Sequence, residues 1–202
     1  RTERPADGVS NRLRIDPSAD APQRGVQPVH PLDDLEHDVV YGAGDAPEEA
    51  ELGGPVENLF AIRHGAPGSR HFAYAGHLDV VPPGQGWQTD PFVPEERGDL
   101  LYGRGAVDMK GSIAAFVGAL EQLPDDLGTI SLIITGDEEG PARFGTVAIM
   151  DLMAERGIVP DLCLVGEPTS VNRLGDMMKI GRRGSVNMWI TVNGMQGHVA
   201  YP

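Results

Sequence analysis

Two hydrophobic patterns run through the chain from about Glu57 onward. Short apolar runs occur at Asn58–Arg63, His71–Gly76, Thr129–Thr135 and Asp161–Val165, the third of them rich in β-branched residues. Their length predicts strands, and the near-continuous apolar character of the last two predicts burial on both faces. Between them the period changes. Asp108–Leu123 sets Ile113, Phe116, Val117, Leu120 and Leu123 on one face of a helix, and Phe144–Arg156 forms a second amphipathic helix, stopped by Gly157 and Pro160. Strand, helix, strand, helix, strand in that order predicts an α/β fold: a mostly parallel sheet with covering helices.

The pattern differs at both ends. After Asp176, Val186, Met188, Ile190 and Val192 alternate with Asn187, Trp189, Thr191 and Asn193, the signature of an antiparallel strand with one wet face. A second, smaller α+β domain is therefore expected to begin near Lys179 and to run through 179–202, following an α/β domain over 56–178. Residues 1–55 hold 12 acidic residues and seven prolines with little periodicity. Such a stretch buries too little surface to offset its ordering entropy, so it is expected to be largely irregular, with Asp38–Tyr41 as an isolated strand.

Composition narrows the function classes. With 30 acidic against 16 basic residues, the net charge of −14 leaves nothing basic to neutralise phosphates, which argues against nucleic-acid and anionic-membrane partners. The lone Cys163 excludes an internal disulfide framework and fits a reducing, cytoplasmic setting; it is expected in the core. No apolar run approaches the roughly 20 residues of a membrane span. The sequence opens on Arg1, with neither an initiator Met nor a signal-peptide pattern.

Chemistry concentrates in four segments: Gly76-His77-Leu78-Asp79, Gly103-Arg104-Gly105-Ala106-Val107-Asp108-Met109-Lys110-Gly111, Thr135-Gly136-Asp137-Glu138-Glu139-Gly140 and Val165-Gly166-Glu167-Pro168. His77, the Glu138-Glu139 pair and Glu167 each follow a predicted strand, and Asp108 opens a predicted helix. Ligand crevices of open parallel sheets lie at the carboxyl ends of the strands, so one imidazole and several carboxylates should meet there. Carboxylates that share a pocket raise each other's pKa unless a cation compensates. Mixed His and carboxylate donors suit zinc, with cobalt or manganese as alternatives, and one carboxylate can bridge two ions. Taken singly, a His after a strand or a Glu-Glu pair is more often a solvated residue; their common placement is what favours a site.

These segments resemble the M20 metallopeptidase family. Lys179-Ile180-Gly181-Arg182-Arg183-Gly184-Ser185 and Gly197-His198-Val199-Ala200-Tyr201-Pro202 bring the resemblance, over about 55–202, to the succinyl-diaminopimelate desuccinylases within it. The resemblance implies a two-zinc amidohydrolase, with cobalt as an alternative metal, that hydrolyses the succinyl amide of N-succinyl-LL-2,6-diaminopimelate in lysine and diaminopimelate synthesis. It implies metal ligation by His77, Asp108 (bridging), Glu139 and Glu167. Glu138 would be the general base, and Asp79 would orient the His77 ring. Lys179 and Arg182 would meet substrate carboxylates, where a solvated hairpin edge is the plainer reading. His198 would stabilise the oxyanion from the lid of a partner subunit in a homodimer, and Tyr201 would line the substrate pocket.

The family completes its metal site with a further His near its carboxyl terminus, which none of the six His residues here matches. These residues alone are therefore expected to be inactive. A related amidohydrolase, such as an acetylornithine deacetylase or an aminoacylase, and a catalytically silent metal-binding fragment are the alternatives. The remaining candidates have plainer readings: His30, His37 and His64 at the surface, His71 without a visible partner, Trp87 structural, and Met177 and Met178 in packing.

Overall fold

The computed structural model describes residues 12–14, 35–42, 56–124, 127–181, 184, 186, 188–195, 197 and 200. The chain divides into two units, Arg1–Pro168 and Thr169–Pro202. In the first, a five-stranded sheet is formed by β2 (Glu36–Gly42), β3 (Val56–Arg63), β4 (His71–His77), β7 (Thr129–Thr135) and β8 (Leu162–Val165), in the spatial order β2-β3-β7-β4-β8. The pairings β7–β4 and β4–β8 are parallel, whereas β2–β3 and β3–β7 are antiparallel. The expected α/β sheet with covering helices is present, but it is mixed rather than mostly parallel: two of its four pairings are parallel, and that half carries the site. A smaller antiparallel sheet joins β1 (Arg12–Arg14), β6 (Leu100–Tyr102) and β5 (Glu95–Arg97).

Alternation along the central strands sorts their side chains onto two faces. On one face, Phe60, Ile62, Ala73 and Ile133 pack with Ile149 and Met153 of helix α2 (Thr146–Glu155). On the other, Ala61, Tyr74, Leu132 and Ile134 pack with Met109 and with Ile113 and Phe116 of helix α1 (Gly111–Leu120). The Phe116 ring stacks on Tyr74 with centroids 4.3 Å apart. Phe60 and Ile149 are fully buried, each stabilising the fold by about 1.5–3 kcal/mol relative to an exposed side chain. Helix α2 ends where expected. Gly157 has φ +65°, and the N–H groups of Gly157 and Ile158 donate to the carbonyls of Ala154 and Met153, a Schellman cap that only an unhindered residue closes without strain.

Several expectations need correction. Asp38–Tyr41 is part of β2, an edge strand of the main sheet rather than an isolated one; its seven-residue register with β3 and the Arg156–Asp38 ion pair (2.6 Å) tie it down. Asp108 does not open α1. Gly105 turns left-handed (φ +80°), Asp108 and Met109 have non-helical dihedrals, and α1 begins at Gly111. The residues of β8 are exposed, Cys163 included, since among the described residues no strand pairs with its outer side and it belongs to neither core cluster. Sequence reasoning also missed the β5–β6 hairpin, whose two-residue Gly98-Asp99 loop places Gly98 at φ +65°.

In Thr169–Pro202, the Asp176 carboxylate accepts the N–H groups of Val171, Asn172 and Arg173, which holds its pKa below the ordinary range. Among the described residues there is no strand over 186–192, and Val186, Met188, Ile190 and Val192 are exposed. Alternation stabilises a strand only when a ladder partner and an apolar surface meet it, and the described residues of this unit supply neither. Met177 and Met178 are likewise exposed rather than packed. No described helix is long and apolar enough to cross a membrane.

Candidate metal centre

The carboxyl ends of three neighbouring parallel strands, together with the turn before α1, form the site. His77 is the last residue of β4, Glu138 and Glu139 follow β7, Glu167 follows β8, and Asp108 sits on the kinked turn. Each is delivered by local constraints. Gly76 lets the strand end approach the turn, since a Cβ there would lie 2.8 Å from the Met109 methyl carbon. Gly166 lies against the Tyr74 hydroxyl, itself 2.7 Å from the Ser112 hydroxyl, so no side chain fits just before Glu167. Asp137 accepts the N–H groups of Ala142, Arg143 and Phe144 and closes the loop that follows β7.

His77 is 1% exposed. Its Nε2 lies 3.1 Å from Oδ1 of Asp108, 3.7 Å from Oε1 of Glu167 and 3.9 Å from Oε2 of Glu138. The donor atoms of His77, Asp108 and Glu139, and separately those of His77, Glu138 and Glu167, lie within 4.8 Å of one another. The second ring nitrogen, Nδ1, is 2.9 Å from the Asp79 carbonyl oxygen. A carbonyl can only accept, so Nδ1 carries hydrogen and, in the neutral ring, Nε2 presents its lone pair to the carboxylates.

That arrangement is electrostatically incomplete by itself. Burial lowers the His77 pKa, but the Asp79 carbonyl and the carboxylates of Glu167, Glu138 and Asp108 outweigh it and leave the ring more basic than usual. Burial, then repulsion from Asp108, raises the pKa of both Glu139 and Glu167. A lone pair and several carboxylates facing one space fit a divalent cation, which removes the repulsion and takes the donor types present. The chemistry of the donor set thus agrees with the metal dependence of the family.

Asp79 differs in detail from its expected role. Its Oδ1 lies 3.5 Å from His77 Nδ1, and the shorter contact to the ring is from its main-chain carbonyl. Its Oδ2 accepts the N–H groups of Glu138 and Glu139 at 2.9 and 2.8 Å. One residue therefore fixes both the tautomer of the imidazole and the placement of the glutamate pair.

Of the other expected site residues, Lys179 is exposed in Thr169–Pro202, and Arg182, His198 and Tyr201 lie outside the described residues. Among the plainer readings, His37 and His64 are exposed, whereas His30 lies outside the described residues. Trp87 donates to the Pro83 carbonyl at 2.8 Å and has the Arg104 guanidinium 5.5 Å from its ring centre, a structural loop contact. His71 does have a partner, the Ser131 hydroxyl 2.9 Å from its Nε2. Asn58, Tyr74 and Ser112 went unread in the sequence. An amide inside the apolar run Val56–Arg63 was the one available signal.

Comparisons with known proteins agree with this geometry. Residues 73–193 match the model of peptidase family M20/M25/M40. The succinyl-diaminopimelate desuccinylase of Novosphingobium aromaticivorans is 71% identical over 162 residues, which are 80% of this chain and 42% of the relative. That of Erythrobacter litoralis is 68% identical over 174 residues, 86% of this chain and 45% of the relative. The chain thus spans less than half the length of these curated relatives. Among solved structures, human carnosine dipeptidase 1 aligns with a TM-score of 0.51 at 30% identity, over 65% of this chain and 29% of that one. The di-peptidase Dug1p of Saccharomyces cerevisiae aligns with a TM-score of 0.52 at 17% identity, over 67% and 30%, a likeness of fold alone. The matched region contains all five donors, His77, Asp108, Glu138, Glu139 and Glu167, and on that agreement the chain belongs to peptidase family M20/M25/M40.

Proposed function

We propose that this chain forms the larger part of the metal centre of a succinyl-diaminopimelate desuccinylase. The reaction is hydrolysis of the succinyl amide of N-succinyl-LL-2,6-diaminopimelate to succinate and LL-2,6-diaminopimelate. The observation that carries the reading is the convergence of the His77 Nε2 lone pair with Asp108, Glu138, Glu139 and Glu167 at adjacent strand ends. The similarity to proteins named succinyl-diaminopimelate desuccinylase supports the choice of substrate.

In this reading His77, Asp108, Glu139 and Glu167 would hold two zinc ions, with cobalt as an alternative, and the resemblance gives Asp108 the bridging role. The ions supply Lewis acidity to the scissile carbonyl and acidify a water. Glu138 is the most exposed of the three glutamates, with half of its side chain open, and is the one free to move. It takes a proton from the attacking water and returns it to the leaving amine, a role that contributes about 10²–10⁴-fold. Asp79 keeps Glu138 in reach through its hydrogen bond to the Glu138 N–H. Lys179 and Arg182 pair with substrate carboxylates, Tyr201 lines the pocket, and His198 of a second copy stabilises the oxyanion in a homodimer; residue-by-residue resemblance supports these four roles.

The test joins this chain to the matching remainder of the Novosphingobium relative and follows succinate release with added zinc. Glu138→Gln should retain its metal and lose activity by about 10²–10⁴-fold. Faster release of acetate from N-acetylornithine than of succinate from the succinyl substrate would reassign the protein to the deacetylases.

A further inference from the structure

Asn58 is an amide in the middle of an apolar strand, 3% exposed, and every hydrogen-bonding group of its side chain is engaged. Its Oδ1 accepts the Thr135 hydroxyl at 2.9 Å and the Gly136 N–H at 3.2 Å. Its Nδ2 donates to the carbonyls of Val40 at 3.1 Å and Phe144 at 2.9 Å. The Thr135 hydroxyl in turn accepts the Asp137 N–H at 3.1 Å. The three residues preceding Glu138 are therefore bound to Asn58 directly or through one hydroxyl. The far end of the same loop, at Phe144, is bound to the other end of the same amide.

We propose that Asn58 is a positioning residue for the Glu138-Glu139 pair. It fixes the back of the loop while Asp79 fixes the front, so that the two carboxylates reach the crevice with their spacing already set. The geometry points to this role rather than to sheet stability alone, because the amide spends four of its bonds on the loop and its neighbours in place of apolar packing. A leucine would fit the apolar strand but would leave the Gly136 N–H and the Phe144 carbonyl without this partner. Orientation of first ligands by such outer partners typically changes metal affinity about 10–100-fold.

The inference rests on the metal-centre reading, and the experiment separates the two. Cobalt(II) is titrated into the purified fusion of this chain with the matching remainder of the Novosphingobium relative and followed by its visible absorption. Asn58→Leu, Thr135→Val and, as a packing control on the α2 face, Ile149→Val are compared at a temperature where circular dichroism shows each to be folded. Asn58→Leu should weaken cobalt binding about 10–100-fold and change the shape of the absorption band. Thr135→Val should do so to a smaller extent, and Ile149→Val should leave both unchanged. Parent affinity and spectrum in a folded Asn58→Leu would overturn the inference while leaving the metal centre intact, as would an equal loss in Ile149→Val. Where Asn58→Leu does not fold, Thr135→Val, which keeps the shape and removes only the hydroxyl, decides in the same terms. A parent fusion that takes up no cobalt overturns the metal reading and this inference with it.

Discussion

Strands β4 and β8 pair with each other in parallel and look alike in sequence, Phe72-Ala73-Tyr74-Ala75 against Leu162-Cys163-Leu164-Val165, yet they meet different surroundings. Between them, β4 supplies Ala73 and Tyr74 to the two core clusters, whereas the four residues of β8 are all exposed. An apolar run therefore records what a strand can bury, and its neighbours decide what it does bury. A candidate ligand stands at the end of β4, His77, and just after β8, Glu167, so the site draws donors from a well-packed strand and an exposed one of the same sheet.

The largest test of that contrast is a pair of truncations. Tyr74→Ala should cost about 3–5 kcal/mol in urea unfolding, as large aromatic deletions from a packed core do, and Leu162→Ala should stay within about 0.5 kcal/mol. Equal losses would mean that β8 is covered in solution. Next comes Gly166→Ala, whose methyl would run into the Tyr74 and Ser112 hydroxyls. It should destabilise by about 1–3 kcal/mol and also weaken cobalt binding, since the displaced segment carries Glu167. A loss of stability with unchanged cobalt affinity would separate the edge from the site.

A smaller effect concerns His71 at the start of β4. Burial lowers its pKa, with Asp161 and the Val159 carbonyl opposing. A base with a depressed folded-state pKa takes up its proton more readily when unfolded. Its neutral form is thus compatible with folding above the ordinary histidine pKa of about 6.5, and stability is lost as the pH falls below it. His71→Gln should flatten the acid side of the stability–pH curve relative to the parent, read from denaturation midpoints at several pH values. The smallest effect is expected at the opposite edge. Arg156 holds the Asp38 pKa down, so that contribution is present above the ordinary carboxylate pKa and is lost as the pH falls through the lowered value. The pair is exposed, and Asp38→Asn should cost no more than about 0.5 kcal/mol at neutral pH, diminishing in high salt.

Strands β3, β4 and β7 were legible because short apolar runs bounded by turns have few other uses, and the convergence of His77, Glu138, Glu139 and Glu167 followed from strand ends alone. The start of α1 was not, since Asp108 and Met109 keep a helix-compatible pattern while their backbone leaves the helical region. The hairpin at Gly98-Asp99 was legible in principle and lay hidden in a charged stretch. The exposure of β8 was illegible, as burial belongs to neighbours rather than to residues. Within the site, residue identity told which groups gather, but not that Asp79 would meet the ring through its carbonyl and the glutamates through its carboxylate. Nor did Asn58 stand out, because one amide among apolar residues is silent until its four partners, distant in sequence, are brought to it.

The edge position of Glu167 has a thermodynamic consequence. Strand edges exchange their amide hydrogens through openings that cost less than global unfolding. An ion shared by His77 and Glu167 would tie the margin of the sheet to its centre. By linkage, its binding energy would then appear as added order in β8, and the ion would slow amide exchange there by a larger factor than at the opposite edge, β2.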